Sequence, residues 1–165
     1  MPVCATTPEP SAALLLQGRD FADAYQLVTD EPAVNAAAAA QRVFSRTPGW
    51  IAGLLALRNR IGALIGLKGT EETVFEAAQP LEKRRRIGFF PVVSEAADRV
   101  VMGFDDWHLD FRVVVDVLAL GADRQQVTAT TLVRTHNWMG RAYLALIMPF
   151  HRMIVRTMLA QAAKA

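Results

Sequence analysis

Residues 108–120, HLDFRVVVDVLAL, alternate so regularly that an extended strand is the reading they favour most. Leu109, Phe111, Val113, Val115 and Val117 fall on one side, and His108, Asp110, Arg112, Val114 and Asp116 on the other. A strand this long with one apolar side needs a second layer to cover it. Neighbouring segments read as its partners: IGFFPVV (87–93), RVVMGF (99–104) and QVTATTLVRTH (126–136). The links between them, Glu95–Asp98, Asp105–Trp107 and Gly121–Asp123, are short enough to require antiparallel hairpins. With Gly121–Asp123 as the loop, Leu120 pairs with Arg124. Asp110 then lies opposite Arg134, and His108 opposite His136.

The covering layer is helical. Residues 138–162 carry an apolar stripe of Met139, Tyr143, Leu146, Ile147, Phe150, Met153 and Ile154, with Arg141, Arg152 and Arg156 opposite and His151 on the flank. Pro149 predicts a kink near Met148. Upstream, FADAYQLVT (21–29) reads as a first strand, and Asn35 caps a helix over 35–45. Thr47 and Pro48 open a second helix that stops at Gly66. Its buried face is Trp50, Ile51, Leu54, Ile61 and Ile65. Arg58 stands in that stripe, to be paired with Asp105 or Asp106 or to snorkel to solvent. Residues 1–11, with Pro8-Glu9-Pro10, read as a loose tail, and 12–165 as one domain. The expected class is α+β, an antiparallel sheet packed on a long C-terminal helix.

Composition narrows function mainly by exclusion. The 165 residues, 52% hydrophobic and 21% charged, are enough to bury a core without a disulfide or metal staple. The single cysteine, Cys4, excludes an intramolecular disulfide and fits a reducing, cytoplasmic setting. A net charge of +2 argues against a nucleic-acid-binding face, and the run Lys83–Arg86 lacks interleaved aromatics. No apolar run reaches the ~18 residues of a membrane span. The N-terminus lacks the cationic start of a secretory signal.

Glycine-rich phosphate loops, HExxH, CxxC and GxSxG motifs are all absent, so no cofactor, metal or catalytic residue is assigned. The groups left for acid–base chemistry are His108, His136 and His151 with their acidic neighbours.

Three blocks, TPGWIAGLLALRNRIGALIGLKG, GFDDWHLDFR and NWMGRAYLALIMPFHRMIV, resemble those of a bacterial family designated domain of unknown function 2867. The resemblance runs from about Asp23 to Met158 and implies a helix-grip fold, similar to the START, polyketide-cyclase and birch-pollen-allergen superfamily. Such domains mostly bind lipids, sterols or polyketide-like molecules, and a minority catalyse, so fold alone does not fix function. The expectation is a small apolar or amphipathic ligand held between sheet and C-terminal helix. Trp50, Leu54, Phe89, Phe111, Tyr143, Ile147 and Phe150 would line the site, and Arg58 or His151 would orient a polar end. The alternatives are a cyclase, hydratase or isomerase using His108, Asp110 or His151, and a homodimeric interaction protein without a ligand. Either a monomer or a homodimer is compatible with the chain. The alternation also predicts that His108, Asp110 and Arg112 point away from the helix.

Overall fold

The computed structural model describes residues 2–44, 46–51, 53 and 85–163. Among the described residues seven strands form one sheet: β1 (Cys4–Thr6), β2 (Phe21–Thr29), β3 (Arg86–Ile87), β4 (Phe90–Glu95), β5 (Arg99–Asp105), β6 (Leu109–Gly121) and β7 (Arg124–Thr135). Their order is β1-β2-β7-β6-β5-β4-β3, and every pairing among the described residues is antiparallel. Among the described residues the helices with given bounds are α1 (Pro10–Ala13), α2 (Ala36–Val43) and α3 (Trp138–Leu159), the last running into a 3-10 turn over Ala160–Ala163. This is the expected α+β class, consistent with a helix-grip-like fold. No helix among the described residues is long and apolar enough to cross a membrane.

Register turns the strand alternation into ranks of side chains that run across the sheet. On the side facing α2 and α3, Phe21 pairs with Val133, Val133 with Phe111, and Phe111 with Phe104. The next rank on that side is Asp23–Thr131–Val113–Met102, and the next Tyr25–Ala129–Val115–Val100. Tyr25, Val100, Met102, Val113, Val115 and Ala129 join α2 in the main core. Cooperative burial of these ranks, at about 25 cal/mol per Å² of apolar surface, is the main drive for closing the two layers.

α2 is placed by its entry loop. Val34 donates its backbone N–H to the buried Gln125 side chain at 3.0 Å, and Ala36 donates to the Ala97 carbonyl at 2.9 Å. Asn35 caps the helix as its residue type demands, accepting from Ala38 N–H at 2.8 Å. Ala36, Ala37, Ala39 and Ala40 are all buried, so the alanine run is a close-packing face.

Four expectations are corrected. Residues 4–6, expected to be loose, add β1 to the edge of β2, and Ala12 of α1 is fully buried against Val101 and Val114 on the sheet's far side. That side therefore has an apolar cover of its own. The single strand expected over 87–93 is split into β3 and β4, because Gly88 adopts φ +58°, a left-handed turn geometry suited to glycine. At the β6–β7 hairpin Gly121 pairs with Arg124 and the register shifts there, so Leu120 does not take the expected place. Asp110 does pair with Arg134. The fourth correction, the placement of the His108 side chain, belongs to the site. The second helix is helical over 49–51; its remainder, with Leu54 and Arg58, lies outside the described residues apart from Gly53.

Candidate functional site

The long helix is seated at its N-terminal end by close backbone approach. Asn137 caps α3, accepting from Gly140 N–H at 3.0 Å while its amide donates to the Trp107 carbonyl at 3.1 Å. Gly140 faces the His108 carbonyl so closely that a Cβ there would stand 2.1 Å from the oxygen. His108 follows the β5–β6 turn and is buried. Its ring meets Tyr143 edge-on at 5.9 Å, and its Nδ1 lies 3.4 Å from Asp106 Oδ2. The outward placement expected for His108 is thus wrong: strand parity ends at Leu109, and the turn folds the ring beneath the first turns of α3.

Farther along α3, Tyr143, Ile147, His151 and Ile154 are partly buried, and Met158 is buried. Leu146, Phe150 and Met153, placed on the inner stripe by the sequence reading, are exposed. The inner line is rotated relative to the expected one, and His151 moves from its flank to its middle. From there His151 Nε2 reaches Asp23 of β2, 3.1 Å from Oδ1 and 3.0 Å from Oδ2. The Phe21 ring packs edge-to-face on the imidazole at 5.4 Å. Asp23 belongs to the second helix-facing rank, opposite the buried Thr131. A polar pair thus bridges helix and sheet beside the Phe21–Val133–Phe111–Phe104 rank.

An aromatic row extends that rank toward α2. Phe44 meets Phe90 at 5.4 Å, Phe90 meets Phe111 at 5.5 Å, and Phe111 meets Phe104 at 5.7 Å. Of the residues expected to line a ligand site, Phe111, Tyr143 and His151 lie on the helix–sheet interface, and the half-buried Ile147 falls on the same helix line, one turn from each of the latter two. Phe89 does not join them: it is 51% exposed at the β3–β4 turn, and its neighbour Phe90 occupies the row. Trp50 and Phe150 are exposed. Leu54 and Arg58 lie outside the described residues.

The far side of the sheet holds a separate polar set. His136 Nε2 lies 2.8 Å from Asp110 Oδ1, and Arg112 pairs with Asp105 at 2.6 Å while donating to the Phe104 and Phe111 carbonyls. Arg99 Nε donates to Asp116 at 2.5 Å, yet burial pushes the Asp116 carboxyl above its ordinary value against that hydrogen bond. Among the described residues no group of three His, Cys, Asp or Glu side chains is arranged to hold a metal.

Asp23, Phe21 and Thr131 were not singled out from the sequence. A signal for Asp23 was present: in FADAYQLVT it shares parity with Phe21, Tyr25 and Leu27, a lone carboxylate on the apolar side of a strand.

The profile of a family described as "Protein of unknown function (DUF2867)" matches residues 15–158. No curated protein and no solved structure matches the chain.

Proposed function

The chain belongs to the DUF2867 family, and on that premise we propose that it binds a small, mainly apolar molecule between the sheet and the first half of α3. The observation that carries this reading is the mismatch along α3. Tyr143, edge-on to the His108 ring, and Ile147, one turn farther along the same helix line, are only partly buried, whereas Met158 is buried and Leu159 is closed off completely. An interface of this kind, apolar with one polar pair set into it, has the chemistry of a small-molecule site. The helix-grip-like order of strands and terminal helix supports the same reading by analogy of fold. Phe111, Tyr143 and Ile147 supply contact area, and His151 meets the polar end.

A proton-transfer enzyme is the second reading. It is favoured by the His151–Asp23 pair lying on the inner side of the sheet, where a substrate would sit.

Titration with the uncharged probe N-phenyl-1-naphthylamine tests the binding reading. Saturable enhancement at one site per chain is expected, weakened by about tenfold or more in Ile147→Trp, whose added bulk fills the space. Tyr143→Ala should change affinity while the thermal transition remains cooperative. Absence of saturable binding to the wild type, or binding indifferent to Ile147→Trp, refutes the assignment.

A further inference from the structure

We propose that the ligand presents a hydroxyl group, alcoholic or phenolic, to Nδ1 of His151; this rests on the binding reading above and names the ligand's polar end. The argument begins with Asp23. An ionised carboxylate has no hydrogen to give, so with both its oxygens within 3.1 Å of Nε2, that nitrogen must be the donor. In a neutral imidazole the proton on Nε2 leaves a lone pair on Nδ1. Among the described residues Nδ1 of His151 makes no hydrogen bond, although the side chain is only 12% exposed.

The ring is also held in place. Asp23 fixes one edge, and the Phe21 ring stands at 89° to the imidazole plane. The result is a positioned acceptor on an otherwise apolar interface, and a ligand that covered it without offering a donor would leave it buried and unpaired, which is costly. A ligand hydroxyl meets that need. A ligand carboxylate does not: it brings a second acceptor and places its charge near Asp23. An ether of the same shape brings no hydrogen at all. The dyad therefore selects for O–H over both.

Three probes of one shape separate these cases: 2-naphthol, 2-methoxynaphthalene and 2-naphthoate, each titrated at neutral pH into the full chain. The expected order has 2-naphthol binding about tenfold tighter than the ether, the scale of one hydrogen bond to an oriented buried acceptor, and 2-naphthoate weakest. In His151→Phe the naphthol advantage over the ether should fall to about twofold or less, while the ether still binds. Retained ether binding by that variant shows that its site remains folded. Asp23→Asn should also reduce the advantage, because a neutral amide no longer raises the acceptor strength of Nδ1 through the ring. Equal affinity of naphthol and ether for the wild type overturns the hydroxyl inference and leaves the apolar site standing. Preference for naphthoate overturns it in favour of an anion held by a protonated imidazole. If none of the three binds, the binding reading and this inference fall together.

Discussion

The two ends of α3 are held in different ways. At its C-terminal end Met158 and Leu159 are buried, with Ala162 just beyond, in the core shared with α2 and β2. From its start to His151, Tyr143 and Ile147 are partly covered, and the attachments are polar or backbone: the Asn137 cap, the Gly140–His108 approach and the His151–Asp23 pair. The difference lies in what faces the helix. At the C-terminal end the alanine face of α2 lets two layers of backbone come close, so large side chains fill the remaining volume. From the helix start to His151 the described partners are the His108 ring and carbonyl, the Phe21 ring and the Asp23 carboxylate, which fix the helix's position without closing around it. Packing density and positional anchoring are thus separable along one helix, and a site needs the second more than the first.

The contrast is most strongly broken at Leu159. Leu159→Ala should lower stability by ~2–5 kcal/mol in urea denaturation, the range for truncating a fully buried leucine, whereas Ile147→Ala should cost less than half as much. Equal losses would show that the first half of α3 is packed as tightly as the last. Gly140→Ala comes next. A Cβ placed 2.1 Å from the His108 carbonyl forces backbone to move, at ~1–3 kcal/mol, and should loosen the probe site as well. An unchanged melting curve would mean that the helix is not seated there.

The smallest effect sharpens the comparison by pH. Asp20 accepts hydrogen bonds from the Thr135 hydroxyl at 2.7 Å and from the Thr135 N–H at 2.6 Å, which hold its carboxyl below the ordinary value of 3.8. A carboxylate lowered in the folded state adds stability that is fully present above the unfolded value. That stability is lost as pH falls through the folded one. Asp20→Asn should therefore be less stable than the wild type at neutral pH, and the gap should close in acid, as followed by urea midpoints from pH 7 downward. A gap that widened in acid would reverse the assigned sign. This link fastens the strand end from which α3 departs, so it belongs to the positional set.

How much of this was legible depended on whether local pattern or distant geometry decided a position. The strand over 21–29 and the β6 alternation were readable because a period of two with one apolar side has few other solutions. The α2 cap was readable because Asn35 acts on a group three residues away. The pairing of Asp110 with Arg134 followed from loop length even though the loop itself was misjudged at Leu120. The inner line of α3 was not readable to the residue, since a helix rich in apolar side chains on several faces can be rotated with little change in pattern. His108 escaped because it lies one residue outside its strand. Residues 4–6 escaped because three residues carry no periodicity; their place is set by β2. The pairing of His151 with Asp23 joins positions 128 apart, and neither segment names its partner.

The pairing of β2 with β7 has a consequence for synthesis. β2 hydrogen-bonds along its whole length to β7, from Phe21↔Val133 to Thr29↔Gln125, and among the described residues the only other strand it meets is the three-residue β1. A nascent chain leaves the ribosome with β2 complete long before its partner exists. The meander from β4 to β7 can form hairpin by hairpin as it emerges, because each contact closes a short loop. β2 must then return to dock on β7, bringing β1 with it, and Arg156 can donate to the Val3 carbonyl, 153 positions away, only after that. Until then its Tyr25 and Leu27 face water on an unpaired extended segment, the kind of edge that invites pairing between chains. The first strand of the core to be translated is among the last to be protected, so interrupted translation short of residue 124 exposes β2 to misassembly.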